Sequence, residues 1–141
     1  MSEIPSRILL FVHVILITAE RKPSLKKPVR AVLSGFIKKN AESKGVEVLA
    51  AGGGEDHVHM VLQVGASRNL SQMITSMKEE LSEWLTQTTL APAFEWEKDF
   101  AAISVSPSGV KQTIDFINNQ EEYHKSKSLE SELALFDKIY I

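Results

Sequence analysis

The chain of 141 residues contains no cysteine, which excludes thiol nucleophiles, disulfides and cysteine-ligated zinc or iron–sulfur centres. Any metal must sit on histidine, carboxylate or amide ligands. A long hydrophobic run is also missing. The most apolar stretch, Ile8–Ile17, has about ten residues, too few to span a bilayer, and carries neither the basic start nor the small-residue cleavage site of a signal peptide. No membrane partner and a cytoplasmic location are the resulting expectations. Net charge is small as well: 16 Lys+Arg against 18 Asp+Glu give −2, which argues against coating nucleic acid by bulk charge alone. What is present, 43% hydrophobic and 24% charged residues, has the balance of a globular protein. The length suits one domain over residues 1–141, with a core of about 7–106 and C-terminal helices at about 107–139.

Residues 8–18 are dense in β-branched and aromatic types without Gly or Pro, as in a central strand buried on both faces. In it His13 reads as a satisfied core or edge histidine. A basic turn at 19–27 leads to Pro28, at the start of an amphipathic helix with Val29, Val32, Leu33, Phe36 and Ile37 at helical spacing before Gly45. Val46–Ala51 and Asp56–Val64 read as a hairpin turning on Gly52-Gly53-Gly54. Residues 70–88 place Leu70, Met73, Ile74, Met77, Leu81, Trp84 and Leu85 on one face of a second helix. A fourth strand is expected within Phe94–Val105. A third helix starts at Ser106-Pro107-Ser108 with Val110, Ile114 and Ile117 as its apolar stripe, and a short last helix, Ser128 to about Lys138, packs Leu129, Leu133 and Leu135. The order predicts an α+β fold: a ferredoxin-like β-α-β-β-α-β antiparallel sheet with helices on one face and a C-terminal helical extension.

The sharpest local feature is Asp56-His57-Val58-His59-Met60. Side chains alternate along a strand, so the apolar Val58, Met60, Leu62 and Val64 face the core while His57, His59, Val61 and Gln63 share the opposite face. Two histidines there form either a surface pair or the beginning of a divalent-metal site, since H-x-H alone is a weak motif. Val61 at the third alternate place argues against a histidine-triad hydrolase. Further ligands would come from His13, from His124 or from the third helix, which offers Asp115, Asn118, Asn119, Gln120, Glu121 and Glu122. Phe116 lies off the apolar stripe of that helix, one turn before Gln120.

These pieces, Val48–Gly54, the Asp56–His59 segment, Phe94-Glu95-Trp96, Phe100–Ser108, Ile117–Glu121 and the closing Ser128–Ile141, resemble in order and spacing the small single-tyrosine HUH transposases of bacterial insertion sequences, including the REP-associated tyrosine transposases. The resemblance implies a metal-dependent nuclease and strand-transferase acting in DNA transposition on single-stranded or hairpin DNA. It implies that His57 and His59, around hydrophobic Val58, hold a divalent ion, Mg2+ or Mn2+, together with Gln120. In the family a tyrosine four residues before that glutamine attacks the scissile phosphate and leaves a 5′-phosphotyrosine link.

Here that position is Phe116, which has no nucleophile. Either the chain is a naturally silent relative that still binds DNA, or it carries a Tyr→Phe substitution, or Tyr123 serves instead from a position about 10 Å along the helix. Between Arg21 and Lys44 lie eight basic residues and one acid, Glu42, whereas residues 77–99 hold six acids and two lysines. The near-neutral total therefore hides a basic segment. Its Arg21, Lys22, Lys26, Lys27 and Arg30 are candidate phosphate contacts. A non-catalytic, domesticated hairpin-binding protein is the alternative reading, and a small metal-dependent hydrolase a more distant one. The resemblance leaves monomer or homodimer open.

Overall fold

The structure is a computed structural model that describes residues 10–65, 69–87 and 93–120. Strand β1, Leu10–Ile17, is followed by helix α1, Lys27–Ser43, then by β2, Glu47–Gly53, and β3, His57–Val64. Helix α2 spans Leu70–Gln87, β4 spans Ala101–Val105, and α3 spans Val110–Asn118. The four strands form one sheet in the order β2-β3-β1-β4, with every pairing antiparallel. This is the expected β-α-β-β-α-β arrangement. The expected last helix, Tyr123 and His124 lie outside the described residues, as do both ends of the single domain expected over residues 1–141.

Local chemistry accounts for the elements. Pro28 supplies a preset backbone angle in the first turn of α1, where its missing N–H is not needed. Gly45, at φ 72, ends that helix in the left-handed region. Val29, Leu33, Ile37 and Ala41 from α1, and Met73, Ile74, Met77, Leu81 and Leu85 from α2, are buried against Val12, Val14, Leu16, Val58, Met60 and Leu62 of the sheet. At about 1.5–3 kcal/mol for each large side chain fully removed from water, this layer dominates the stability of the fold.

The opposite face of the sheet is covered by α3. Ile117 of α3 packs with Ala50 of β2 and Val61 of β3 in a separate small cluster, bordered by Leu49, Ile114 and Phe116. Helices thus lie on both faces: the two crossover helices on one, the C-terminal extension on the other. The buried edge of α3 runs through Ile117 towards Gln120, while Val110 and Ile114 are only partly buried. The stripe read from periodicity is therefore rotated towards the sheet histidines.

Two boundaries differ from the sequence expectation. Strand β2 continues through Gly52 and Gly53, which pair with His59 and Val58 across a bulge between Val48 and Ala50, so the glycines are strand residues before they are a turn. A side chain at Gly52 would place its Cβ 2.9 Å from the carbonyl oxygen of Ile117. Glycine here lets α3 approach the sheet. The fourth strand begins only at Ala101. Upstream, Phe94 is buried against the edge of Trp96, whose indole N–H donates to the carbonyl of Lys78 at 3.1 Å.

Candidate functional site

Antiparallel register fixes which side chains meet beneath α3. On β1 and β3, Ile17 lies opposite His57, Ile15 opposite His59, and His13 opposite Val61. Directly opposed residues share a face, so His13, Ile15, His57, His59 and Val61 all point towards α3. His13, His57 and His59 are each at most 1% exposed. The pair expected on the more polar face is thus buried, because α3 closes over it.

Each imidazole has a partner. Nδ1 of His57 lies 2.8 Å from Oδ1 of Asp56, and its Nε2 lies 2.9 Å from Oε1 of Gln120. The amide of Gln120 is oriented by its other end, where Nε2–H donates to the carbonyl of Phe116 at 3.4 Å. With the Nδ1 proton of His57 donated to the carboxylate, its Nε2 meets an electron-rich oxygen, an arrangement suited to a proton or a cation between them. The hydrogen bond from His57 holds the Asp56 carboxyl below its ordinary pKa against the opposing effect of partial burial, and Arg21, 3.6 Å away, adds to the lowering. His59 stands edge-on to His57, with ring centres 5.0 Å apart, and its Nδ1 lies 2.8 Å from Nε2 of His13.

Phe116 completes this layer. Its ring lies edge-to-face against His59, with centroids 5.5 Å apart at 84°. Gln120 follows one turn later, just beyond the end of α3, where Asn119 closes the helix by donating its backbone N–H to carbonyls of the last turn. The donor set, two imidazoles and an amide oxygen, has the chemistry of a divalent-cation site. Among the described residues no group of three or more His, Cys, Asp or Glu is placed to hold a metal, and the amide oxygen of Gln120 is the further donor that lies beside His57.

Comparison with known proteins fits this geometry. The family model described as "Transposase IS200 like" matches residues 6–120. The chain belongs to the IS200-like transposase family. Solved structures share its fold, among them these two. One is a protein from Deinococcus radiodurans R1 assigned as a transposase, with 20% identity and a TM-score of 0.65 over 85% of this chain and 98% of that one. The other is a REP-associated tyrosine transposase bound to a REP hairpin, with 17% identity and a TM-score of 0.61 over 88% and 74% respectively. No curated protein matches the sequence.

In this IS200-like chain the basic residues divide into groups. Lys27 and Arg30, on the first turn of α1, line an open cavity of about 280 Å³ together with Gly52, Gly53, Asn118 and Gln120. Arg30 Nη1 also donates to the carbonyl of Leu25 at 2.7 Å. Arg21 reaches Asp56, and Lys26 lies 3.5 Å from Glu55 beside the β2–β3 turn. Arg21 is set by a left-handed turn in which Glu20 and Arg21 have φ of 56 and 54. Lys22 pairs with Glu20 at 3.5 Å and both are exposed. Farther along α1, Lys44 pairs with Glu80 of α2 at 2.7 Å. The structure therefore brings Lys27 and Arg30 to the Gln120 cavity, while Arg21 and Lys26 pair with Asp56 and Glu55 and Lys44 belongs to the opposite end of the helix.

Sequence reasoning gave no role to Asp56, took Gly52 as part of the hairpin turn, and left His13 as either a core or edge histidine or an additional ligand. Parity along β1 was the available signal for His13, which alternates with the apolar Val12, Val14 and Leu16. Asp56 adjoins the H-x-H segment, and only its contact with His57 reveals its purpose. Among the described residues no helix is long and apolar enough to cross a membrane.

Proposed function

We propose that this IS200-like protein binds single-stranded or hairpin DNA at the cavity between α1 and α3, with a divalent ion held by His57, His59 and Gln120, and that Phe116 occupies the position of the family's nucleophile. The observation that carries this reading is the convergence of Gln120 Oε1 on His57 Nε2 at 2.9 Å, with Phe116 one helical turn earlier against His59. A bound Mg2+ or Mn2+ would supply charge neutralisation and orientation of a phosphate. Lys27 and Arg30 would attract the phosphate backbone into the same cavity, and burial beneath α3 keeps bulk water from the imidazoles. The REP hairpin seen with one structural neighbour supports a folded single strand as the ligand.

A phenyl ring cannot attack phosphorus, so the chain as it stands binds without cleaving. In Phe116→Tyr the phenolic oxygen, after losing its proton to solvent, would form a bond to phosphorus while the bond to the 3′ oxygen breaks. That oxygen takes up a proton, leaving a 5′-phosphotyrosine link and a free 3′-hydroxyl. The test is incubation of Phe116→Tyr with a hairpin oligonucleotide and Mn2+. A denaturation-resistant protein–DNA adduct is expected, absent from the parent chain and from Phe116→Tyr combined with His57→Ala. A Tyr variant that binds hairpin and Mn2+ yet forms no adduct overturns the assignment of position 116.

Phe116 itself favours a second reading, a domesticated hairpin-binding protein without catalysis. Under that reading His57→Ala and His59→Ala leave hairpin affinity unchanged, and Phe116→Tyr gains nothing. Both readings expect Lys27→Ala with Arg30→Ala to flatten the salt dependence of binding, by a slope of about 0.7–0.9 for each phosphate that is no longer neutralised.

A further inference from the structure

The metal reading accounts for His57, His59 and Gln120 but leaves a third buried histidine unexplained. His13 comes from a different strand and is fully shielded from solvent. Its Nε2 lies 2.8 Å from Nδ1 of His59, with ring centres 5.0 Å apart and planes at 39°. One proton must lie between these two nitrogens, and its owner decides what His59 can do. If His13 donates, His59 carries its remaining proton on Nε2, and that nitrogen cannot bind a cation. If His59 donates from Nδ1, its Nε2 keeps a lone pair. Asp56 solves the same problem for His57 by accepting at Nδ1, so the two ligating imidazoles are held from behind in matching fashion, one by a carboxylate and one by a neutral imidazole.

We propose that His13 is a positioning residue: it accepts the Nδ1–H of His59, fixing the ring and tautomer that leave His59 Nε2 available to the divalent ion. The inference rests on the metal reading above. Register supports it independently, since His13 is opposite Val61, one same-face step along β3 from His59, within diagonal reach of a long side chain. The residues opposite His13 on the neighbouring strands, Val61 and Ile103, are apolar.

The test measures Mn2+ affinity of the full chain by electron paramagnetic resonance. The parent should bind, and His57→Ala should not. His13→Phe keeps the ring but removes the acceptor, and should weaken binding by about 10- to 100-fold, the range for removing a partner behind a metal-ligating histidine. His13→Gln, whose amide oxygen can stand near the missing Nε2, should recover most of that affinity, which a purely space-filling role would not allow. In the parent chain with Zn2+ as a diamagnetic probe, the nitrogen chemical shifts of His59 should report a proton on Nδ1, a readout independent of whether any variant folds. Parent-level Mn2+ affinity in His13→Phe overturns the role of His13 while leaving the metal reading intact. A His59 proton on Nε2 overturns both the role of His13 and the place of His59 among the ligands, since that nitrogen then holds no cation. Equal, negligible binding by the parent and His57→Ala overturns the metal reading and this inference with it.

Discussion

Towards α1 and α2 the sheet presents Val12, Val14, Leu16, Val58, Met60 and Leu62, all apolar and buried in one large cluster. Towards α3 the same two central strands present His13, His57 and His59, equally buried, beside Ile15 and a small apolar cluster, which among the described residues is formed by Ala50, Val61 and Ile117. The first face gains stability from every side chain it removes from water. The second buries imidazole and amide groups, a burial that is unfavourable unless each is hydrogen-bonded. Asp56, Gln120 and the His13–His59 contact provide those bonds. The contrast indicates a division of labour in which one face carries the fold, so that the other can hold a site whose groups are chosen for chemistry.

The largest effect that can break this contrast is a cavity on the apolar face. Leu62→Ala should lower unfolding stability by about 2–5 kcal/mol, read from urea denaturation, while Mn2+ affinity of the folded fraction stays near that of the parent. An equal drop in both would mean that the faces are not separable. Next comes Gly52→Ala, whose new Cβ meets a backbone carbonyl of α3 rather than a flexible side chain. It should cost about 1–3 kcal/mol and weaken Mn2+ binding by displacing Ile117 and Gln120. Gly35→Ala is its counterpart on the α1 side, where a Cβ meets nothing within 4 Å. It should raise stability by about 0.4–1 kcal/mol without touching the site.

The smallest effect concerns the tie between α1 and α2. The hydrogen bond from Lys44, then that from Asn40, holds the Glu80 carboxyl below its usual pKa. A carboxyl lowered in the folded state adds stability that is present above the unfolded pKa and disappears as pH falls through the folded one. Glu80→Gln should therefore reduce stability at neutral pH and make no difference in strong acid. The pair is partly exposed, so water and salt screen it to about 0.2–1 kcal/mol. Thermal melts of both proteins from neutral pH into strong acid, at low and high salt, would check the sign and size.

Strand parity in Asp56–Val64 and helical spacing in 70–88 were legible because both depend only on neighbours a few positions apart. The family resemblance went further and joined His57, His59, Phe116 and Gln120, which the structure does bring together. Charge was read less well. The basic segment 21–44 contains a single acid in sequence, but Glu20, Glu55, Asp56 and Glu80 meet its side chains in space. Ion pairs depend on distance, and a sequence window does not see partners brought in by other elements.

By itself the sequence determined which residues could be buried and with what period, because apolar spacing and turn chemistry act locally. It thereby set the strands, the helices, and the fact that His57 and His59 share a side. Only tertiary structure decided that this side is closed by α3, that Gly52 permits the approach, and that His13 and Asp56 stand behind the two imidazoles. Apart from the neighbouring Asp56–His57 pair, those outcomes depend on register and on contacts between positions dozens of residues apart, where one ångström separates a hydrogen bond from a gap.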